Sequence, residues 1–177
     1  MAKQKSIFTA MKKFLSTDTS RTSLCGYNVE LDHENFTATI TATDGHILCS
    51  HTKEIENFKF ELLQEYNFIP NNFDNLESFV IYPNVKTRLG NDLYDIGTNY
   101  PRYKNIIPKI ETMTSIENLD FFVATNPKMA QICCDAKKYF CMGGASYPFD
   151  YASTKLGACL SQDSETTIVI MPLRVMY

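Results

Sequence analysis

No stretch of the chain approaches the roughly 18 consecutive apolar residues that a membrane-spanning helix needs, and the opening MAKQKSIFTAMKKFL is too interrupted by lysine for a signal peptide. The Cys-x-x-Cys spacing is also missing. Cys25, Cys49, Cys133, Cys134, Cys141 and Cys159 include one adjacent pair and nothing else of the kind, which excludes a zinc ribbon and a thioredoxin-type motif. Free thiols in a reducing interior are the simpler expectation, so the protein is expected to be cytoplasmic, with no membrane partner. There is no glycine-rich phosphate loop, no metal-ligand cluster and no nucleophile motif. An α+β enzyme unrelated to anything below therefore has little to stand on, and no cofactor or metal is expected. Excess positive charge is lacking too: the net charge of −3 argues against a wholly basic nucleic-acid-binding protein and moves attention to how the charges are distributed.

What the chain does have is apolar substance. With 177 residues, 44% of them hydrophobic, it is long enough for one domain, or one domain with a large insertion, around a packed core. Residues 4–15, QKSIFTAMKKFL, put Ile7, Phe8, Met11, Phe14 and Leu15 on one helical face and Lys5, Lys12 and Lys13 on the other. STDTSRTS stops that helix, and SLCGYNVELD, NFTATITATD and HILCSHTKE read as three strands separated by turn signals. The last 60 residues use the same grammar. DFFVATN reads as a strand, Pro127 sits where a first-turn proline is tolerated, and PKMAQICCDAKKYF is a second amphipathic helix. Its polar face carries Lys128, Gln131, Asp135 and Lys138, and its apolar side Met129, Ile132, Cys133, Ala136 and Phe140. Three strands are expected after it, near FCMGG, in TKLGACLSQ and in TTIVIMPLRV.

The chain thus divides into a first helix-plus-meander half-repeat at 1–57, an irregular middle at 58–118 and a second half-repeat at 119–177. In the middle, FELLQEYNFIP suggests a short helix, SFVIYP and DLYDIG strands, and NYPRYKNIIPK an extended connector. Whether the middle is a degenerate third half-repeat or an insertion stays open.

Three separated stretches carry a resemblance. RTSLCGYNVEL…ATDGHIL resembles the middle domain of the bacterial β sliding clamp, the DNA polymerase processivity factor, in which a strand of the form R-x-x-L-x-G precedes A-T-D-G-H-R-L. YPRYKNIIPK resembles the clamp's linker, F-P-D-Y-x-x-x-x-P, and TTIVIMPLRV its terminal strand, Y-V-V-M-P-M-R-L. The resemblance covers roughly residues 5–57 and 99–175 and implies an α+β, DNA-clamp-like fold, with antiparallel sheets outside and basic helices on the inner face. It further implies a non-enzymatic protein whose partners are duplex DNA and a DNA polymerase or other clamp-binding protein. The chain is short for a clamp subunit. It must assemble from several copies, as a homo-oligomer ring, or not encircle DNA, and its brevity suggests a phage, a prophage or another mobile element.

By the same resemblance, a hydrophobic peptide-binding pocket would draw on Leu24, Thr43, Gly45, His46 and Leu48, on Pro101 and Ile106 from the connector, and on Val169, Ile170, Met171, Pro172, Leu173 and Arg174 from the tail. Ile47 stands where the family usually has Arg, and the family's Asn and Tyr near the start of the last helix fall at Thr125 and Lys128. The DNA-binding candidates are Lys5, Lys12, Lys13, Lys128 and Lys138, whose sequence-independent phosphate contacts suit a sliding protein. Each has a plainer reading. Asp44-Gly45-His46 alone is a hairpin corner, the lysines are a solvated face, Cys133-Cys134 is helix packing, and His33 and His51 are solvated turn residues. A catalytic His46 needs a partnering nucleophile that the sequence does not show. An alternative keeps the fold and drops the DNA: a clamp-like adaptor or decoy that occupies client peptides or pairs with a host clamp.

Overall fold

Ser6 begins the first helix: its side chain accepts from the Thr9 amide, which satisfies one of the donors a helix start leaves free. Two glutamates complete the cap, since Ser6 Oγ donates to Glu65 at 2.7 Å and the Ile7 amide to Glu61 at 3.1 Å. This computed structural model describes residues 6–83, 94–96, 100–115, 125–142, 149–152 and 158–171. Helix α1, Ile7–Met11, is shorter than the 4–15 pattern suggests, because Lys12–Phe14 tighten into a 3-10 turn. The tightening sets Phe14 below Met11, as i,i+3 residues stack in that geometry. Ile7, Phe8, Met11 and Phe14 are all buried.

A meander follows: β1 (Tyr27–Asp32), β2 (Thr37–Thr43) and β3 (Ile47–Glu54). Strict alternation in β2 sends Ala38, Ile40 and Ala42 to the core and its threonines to the opposite face, where Thr39 bonds Thr52 at 2.9 Å and Thr41 bonds Ser50 at 3.0 Å. Helix α2, Ile55–Tyr66, starts straight after β3 and buries Ile55, Phe58 and Leu62. It begins within the stretch read as the first half-repeat and runs into the irregular middle. Then come β4 (Ser78–Ile81) and β5 (Tyr94–Asp95), a connector containing a 3-10 turn at Tyr103–Asn105, and β6 (Thr114–Ser115). Helix α3, Pro127–Tyr139, is capped by the Asn126 side chain with Pro127 in its first turn. The chain closes its sheet with β7 (Tyr151–Ala152), β8 (Cys159–Gln162) and β9 (Thr166–Ile170). The strand expected in DFFVATN lies outside the described residues apart from Thr125 and Asn126, which are not strand. In FCMGG, Phe140–Met142 leave α3 without forming one.

Among the described residues the strands make one antiparallel sheet in the order β5-β4-β1-β2-β3-β9-β8-β7-β6. Helices α1, α2 and α3 cover one face and share a single core with it. The two halves join at β3 and β9, where Ile47 pairs with Ile170 and His51 with Thr166. His51 therefore departs from the solvated reading: it is a strand residue at this seam, stacked on Phe140 at 4.6 Å and bonded to Thr166 Oγ1 at 2.9 Å. His33 is exposed, with Nε2 2.8 Å from the Leu76 carbonyl. None of the six cysteines is in a disulfide. No described helix is long and apolar enough to cross a membrane.

Candidate functional site

The β2–β3 corner is built by its own side chains. Asp44 Oδ1 accepts from the amides of His46 and Ile47 at 2.7 and 2.9 Å, while Thr43 Oγ1 accepts from the Gly45 amide and donates to the Ile47 carbonyl. Gly45 has φ +93, a backbone conformation that favours glycine, and a Cβ there would also displace the Arg21 guanidinium, 2.5 Å away. Arg21 meanwhile donates to the Asp44 carbonyl at 3.0 Å. The corner thus delivers His46 outward, with Nδ1 3.9 Å from Asp44. Burial raises the thiol pKa of Cys25, Cys49, Cys133 and Cys159, which keeps them as packing groups rather than thiolates.

Two surfaces meet at this corner. On the sheet face away from the helices, Leu48, Val169, Leu160 and Ala158 form an apolar patch with Tyr103, against which Tyr100, Ile107, Ile110 and Met113 of the connector pack. The connector is tied down by Tyr103, whose hydroxyl donates to Glu30 at 3.1 Å and whose pKa burial pushes up to about 12. Around the corner, toward the helices, a groove of about 750 Å³ runs between the 3-10 turns that follow α1 and the start of α3. Leu15, Met129 and Ile132 give it an apolar floor; Lys12, Arg21, His46 and Lys128 are among its polar walls. Met171 is tied to the corner by its amide, which donates to the His46 carbonyl at 2.8 Å, and the residue stays 37% exposed.

Solved structures were compared with this arrangement. The DNA polymerase sliding clamp from Bacillus subtilis superposes with a TM-score of 0.55 over 96% of this chain and 62% of its own, at 14% identity. Caulobacter crescentus pol III beta gives 0.52 over 96% and 63%, also at 14%. The Helicobacter pylori beta clamp, in complex with 3,4-difluorobenzamide, gives 0.50 over 95% and 63%, at 13%. This chain has the bacterial sliding-clamp fold. It spans less than two thirds of the clamps it matches. No protein-family model matches the sequence, and no curated protein matches it as a relative.

Within that clamp fold the three stretches singled out by resemblance come together: corner, connector and β9 are neighbours. Leu48 and Val169 pair across strands and share the outer apolar patch. Other residues from the same set fall elsewhere. Ile170 points into the helix-side core with Ile47, because alternation along β9 must send it opposite to Val169. Leu24 is buried in the 3-10 segment Thr19–Cys25, and Thr43 is a buried brace. Pro101 and Ile106 are exposed, the connector turning Tyr100 and Tyr103 inward instead. Pro172, Leu173 and Arg174 lie outside the described residues, as does Lys5. Of the lysines, Lys12, Lys13 and Lys128 line the groove and Lys138 is exposed farther along α3. Lys13 pairs with Asp135 at 3.1 Å.

Sequence reasoning missed Arg21, Asn126 and Met129. Arg21 was legible, being the first residue of the R-x-x-L-x-G form. Beside Thr125, Asn126 caps α3 with Pro127 in the first turn, and Asn126, Lys128 and Met129 all line the groove, Met129 on its apolar floor.

Proposed function

We propose that the protein is a sliding-clamp-like processivity factor: it binds duplex DNA without sequence preference and tethers a polymerase or another client by a peptide seated at the Asp44–His46 corner. It makes and breaks no bond; tethering raises the client's effective concentration at its substrate. The observation that carries this reading is the convergence of three stretches far apart in the chain, with the Met171 amide on the His46 carbonyl and Leu48 across from Val169. The groove with its apolar floor opens beside the same corner. Asp44 and His46 shape and hydrogen-bond a peptide here rather than transfer protons.

DNA contact rests on Lys12, Lys128 and Lys138, which are exposed and make no ion pair among the described residues, with Lys13 partly occupied by Asp135. Encirclement by a chain of this length would need several copies in a ring. Binding to linear and circular duplexes across a salt series is the test. Replacing Lys12, Lys128 and Lys138 with Glu should make the log–log salt slope shallower by about one unit for each phosphate that is no longer neutralised. Preferential retention on circular DNA supports a ring, and an unchanged slope transfers the lead to the client-binding adaptor that does not touch DNA.

A further inference from the structure

We propose that a cavity on the outer sheet face, between β1 and the connector, binds a nucleotide whose base carries an exocyclic amino group. The cavity, about 440 Å³, lies in the size range of small-ligand sites and shares no lining residue with the groove. Tyr27 and Val29 face the helix-side core, so alternation along β1 turns Asn28 and Glu30 to the other face. There both line the cavity with Ser78 of β4 and with Arg102, Lys104 and Asn105 of the connector. Asn28 is the residue that calls for a ligand. It is 6% exposed, its carboxamide both donates and accepts, and its side chain makes no hydrogen bond among the described residues. Of its partners in the ladder, Thr41 is engaged with Ser50 at 3.0 Å and Val80 is apolar. A buried amide left unpaired is costly to the fold and rare in proteins, and this one lines a cavity.

The other walls set the charge of the ligand. Glu30 Oε2 accepts from the Tyr103 hydroxyl at 3.1 Å and pairs with Lys104 Nζ at 2.6 Å, while Oε1 has no partner among the described residues. The carboxylate already has its cation, so an ammonium head on the ligand would compete with Lys104. Arg102 adds an exposed guanidinium with no ion pair among the described residues. What fits is a neutral edge with adjacent donor and acceptor on Asn28, an amino group toward Glu30 Oε1 and an anion at Arg102. Adenine and cytosine present such an edge: an asparagine amide bonds adenine at two points, and a glutamate accepts from the cytosine amino group. Phosphate suits the guanidinium fork. Uracil and thymine would turn a carbonyl toward Glu30 instead.

The experiment is isothermal titration calorimetry of the full chain with CMP, AMP, UMP and inorganic phosphate, and with a short oligodeoxycytidylate as a further arm. CMP and AMP should bind about tenfold more tightly than UMP, and Arg102→Ala, at an exposed position, should weaken CMP several-fold. Asn28→Leu should abolish the preference over UMP while leaving the thermal midpoint without ligand unchanged or higher, since a buried amide without a partner contributes nothing to the fold. A lowered midpoint would show that the amide is satisfied within the protein and overturns the proposal. So do equal affinities for CMP and UMP, phosphate binding as tight as that of CMP, or no nucleotide binding by wild type. Oligodeoxycytidylate bound more tightly than CMP, and likewise lost in Asn28→Leu, assigns the site to a nucleotide within a strand; the reverse order of affinities assigns it to free nucleotides.

Discussion

Phe8, Tyr27, Phe58, Phe73 and Phe79 meet edge-on, tilted or stacked beneath the β4–β1–β2 side of the sheet, whereas the side formed by β9, β8 and β7 packs Cys133, Ala136, Ala152 and Cys159 among Ile168, Ile170 and Phe149. On the aromatic side, stability comes from area and ring geometry. On the other, small residues sit between the larger ones and a directional tie is added: Lys137, 4% exposed, holds Asp150 at 2.7 Å, and Ser161 donates to the second Asp150 oxygen. The difference teaches where the molecule should open first. A side with fewer ring contacts unfolds locally at lower cost, and here that side supplies α3 to the groove.

The comparison breaks most decisively at its strong side. Phe58→Ala should cost about 3–5 kcal/mol in urea unfolding; a loss below about 1 kcal/mol would mean that the ring cluster is not what holds the first half. On the other side, Lys137→Ala should cost about 1–3 kcal/mol. That is less than breaking a fully buried pair, because the Asp150 side chain keeps 36% of its surface in water. Converting the pair to Met and Leu together should recover most of that loss, and if the double variant is worse than the single one, the tie contributes more than its own desolvation penalty. Met171→Ala should weaken an anchored peptide by about 1 kcal/mol, read by anisotropy, since a residue only 37% exposed has limited area left to bury. Unchanged affinity removes Met171 from the site.

The smallest effect lies at the seam. Burial lowers the His51 pKa below its usual value, Lys53 adds to this, and Glu165, Asp163 and Glu61 oppose it. The folded state then holds the ring neutral while the unfolded chain protonates it near pH 6.5, so stability is fully present above that pH and declines as pH falls toward the folded pKa. Urea titrations of wild type and His51→Gln should converge in their pH dependence above neutrality and diverge below it. Parallel curves would show that the seam imidazole is not the group responsible.

Much of this arrangement is legible from the residues. The Thr/Ala/Ile alternation of β2 sets its faces, the Asp44-Gly45 corner sets the hairpin, and Pro127 marks the start of α3. What escapes a reading of the chain depends on partners distant in sequence. His51 reads as polar among polar residues until Phe140 and Thr166 are beside it, and Lys137 reads as one more surface lysine until Asp150 closes over it. The connector reads as simply extended, whereas a 3-10 turn at Tyr103 rotates the two tyrosines, rather than Pro101 and Ile106, onto the sheet. Leu48 and Val169 share the outer patch and Ile170 faces the helix-side core, as strand alternation, which is local information, dictates.

The β3–β9 pairing also governs how the protein comes into being. Ile47 and Ile170 lie about 120 residues apart in the chain, so joining them closes a long loop whose entropy must be met before the contact contributes anything. The β1–β2–β3 hairpins need only neighbours and form on a timescale of about microseconds, but a topology weighted toward distant pairings folds more slowly as a whole. The groove is made of residues from both sides of that closure. It is therefore completed by the slowest class of contact in the molecule, and under the proposed tethering a client would select chains whose folding has finished.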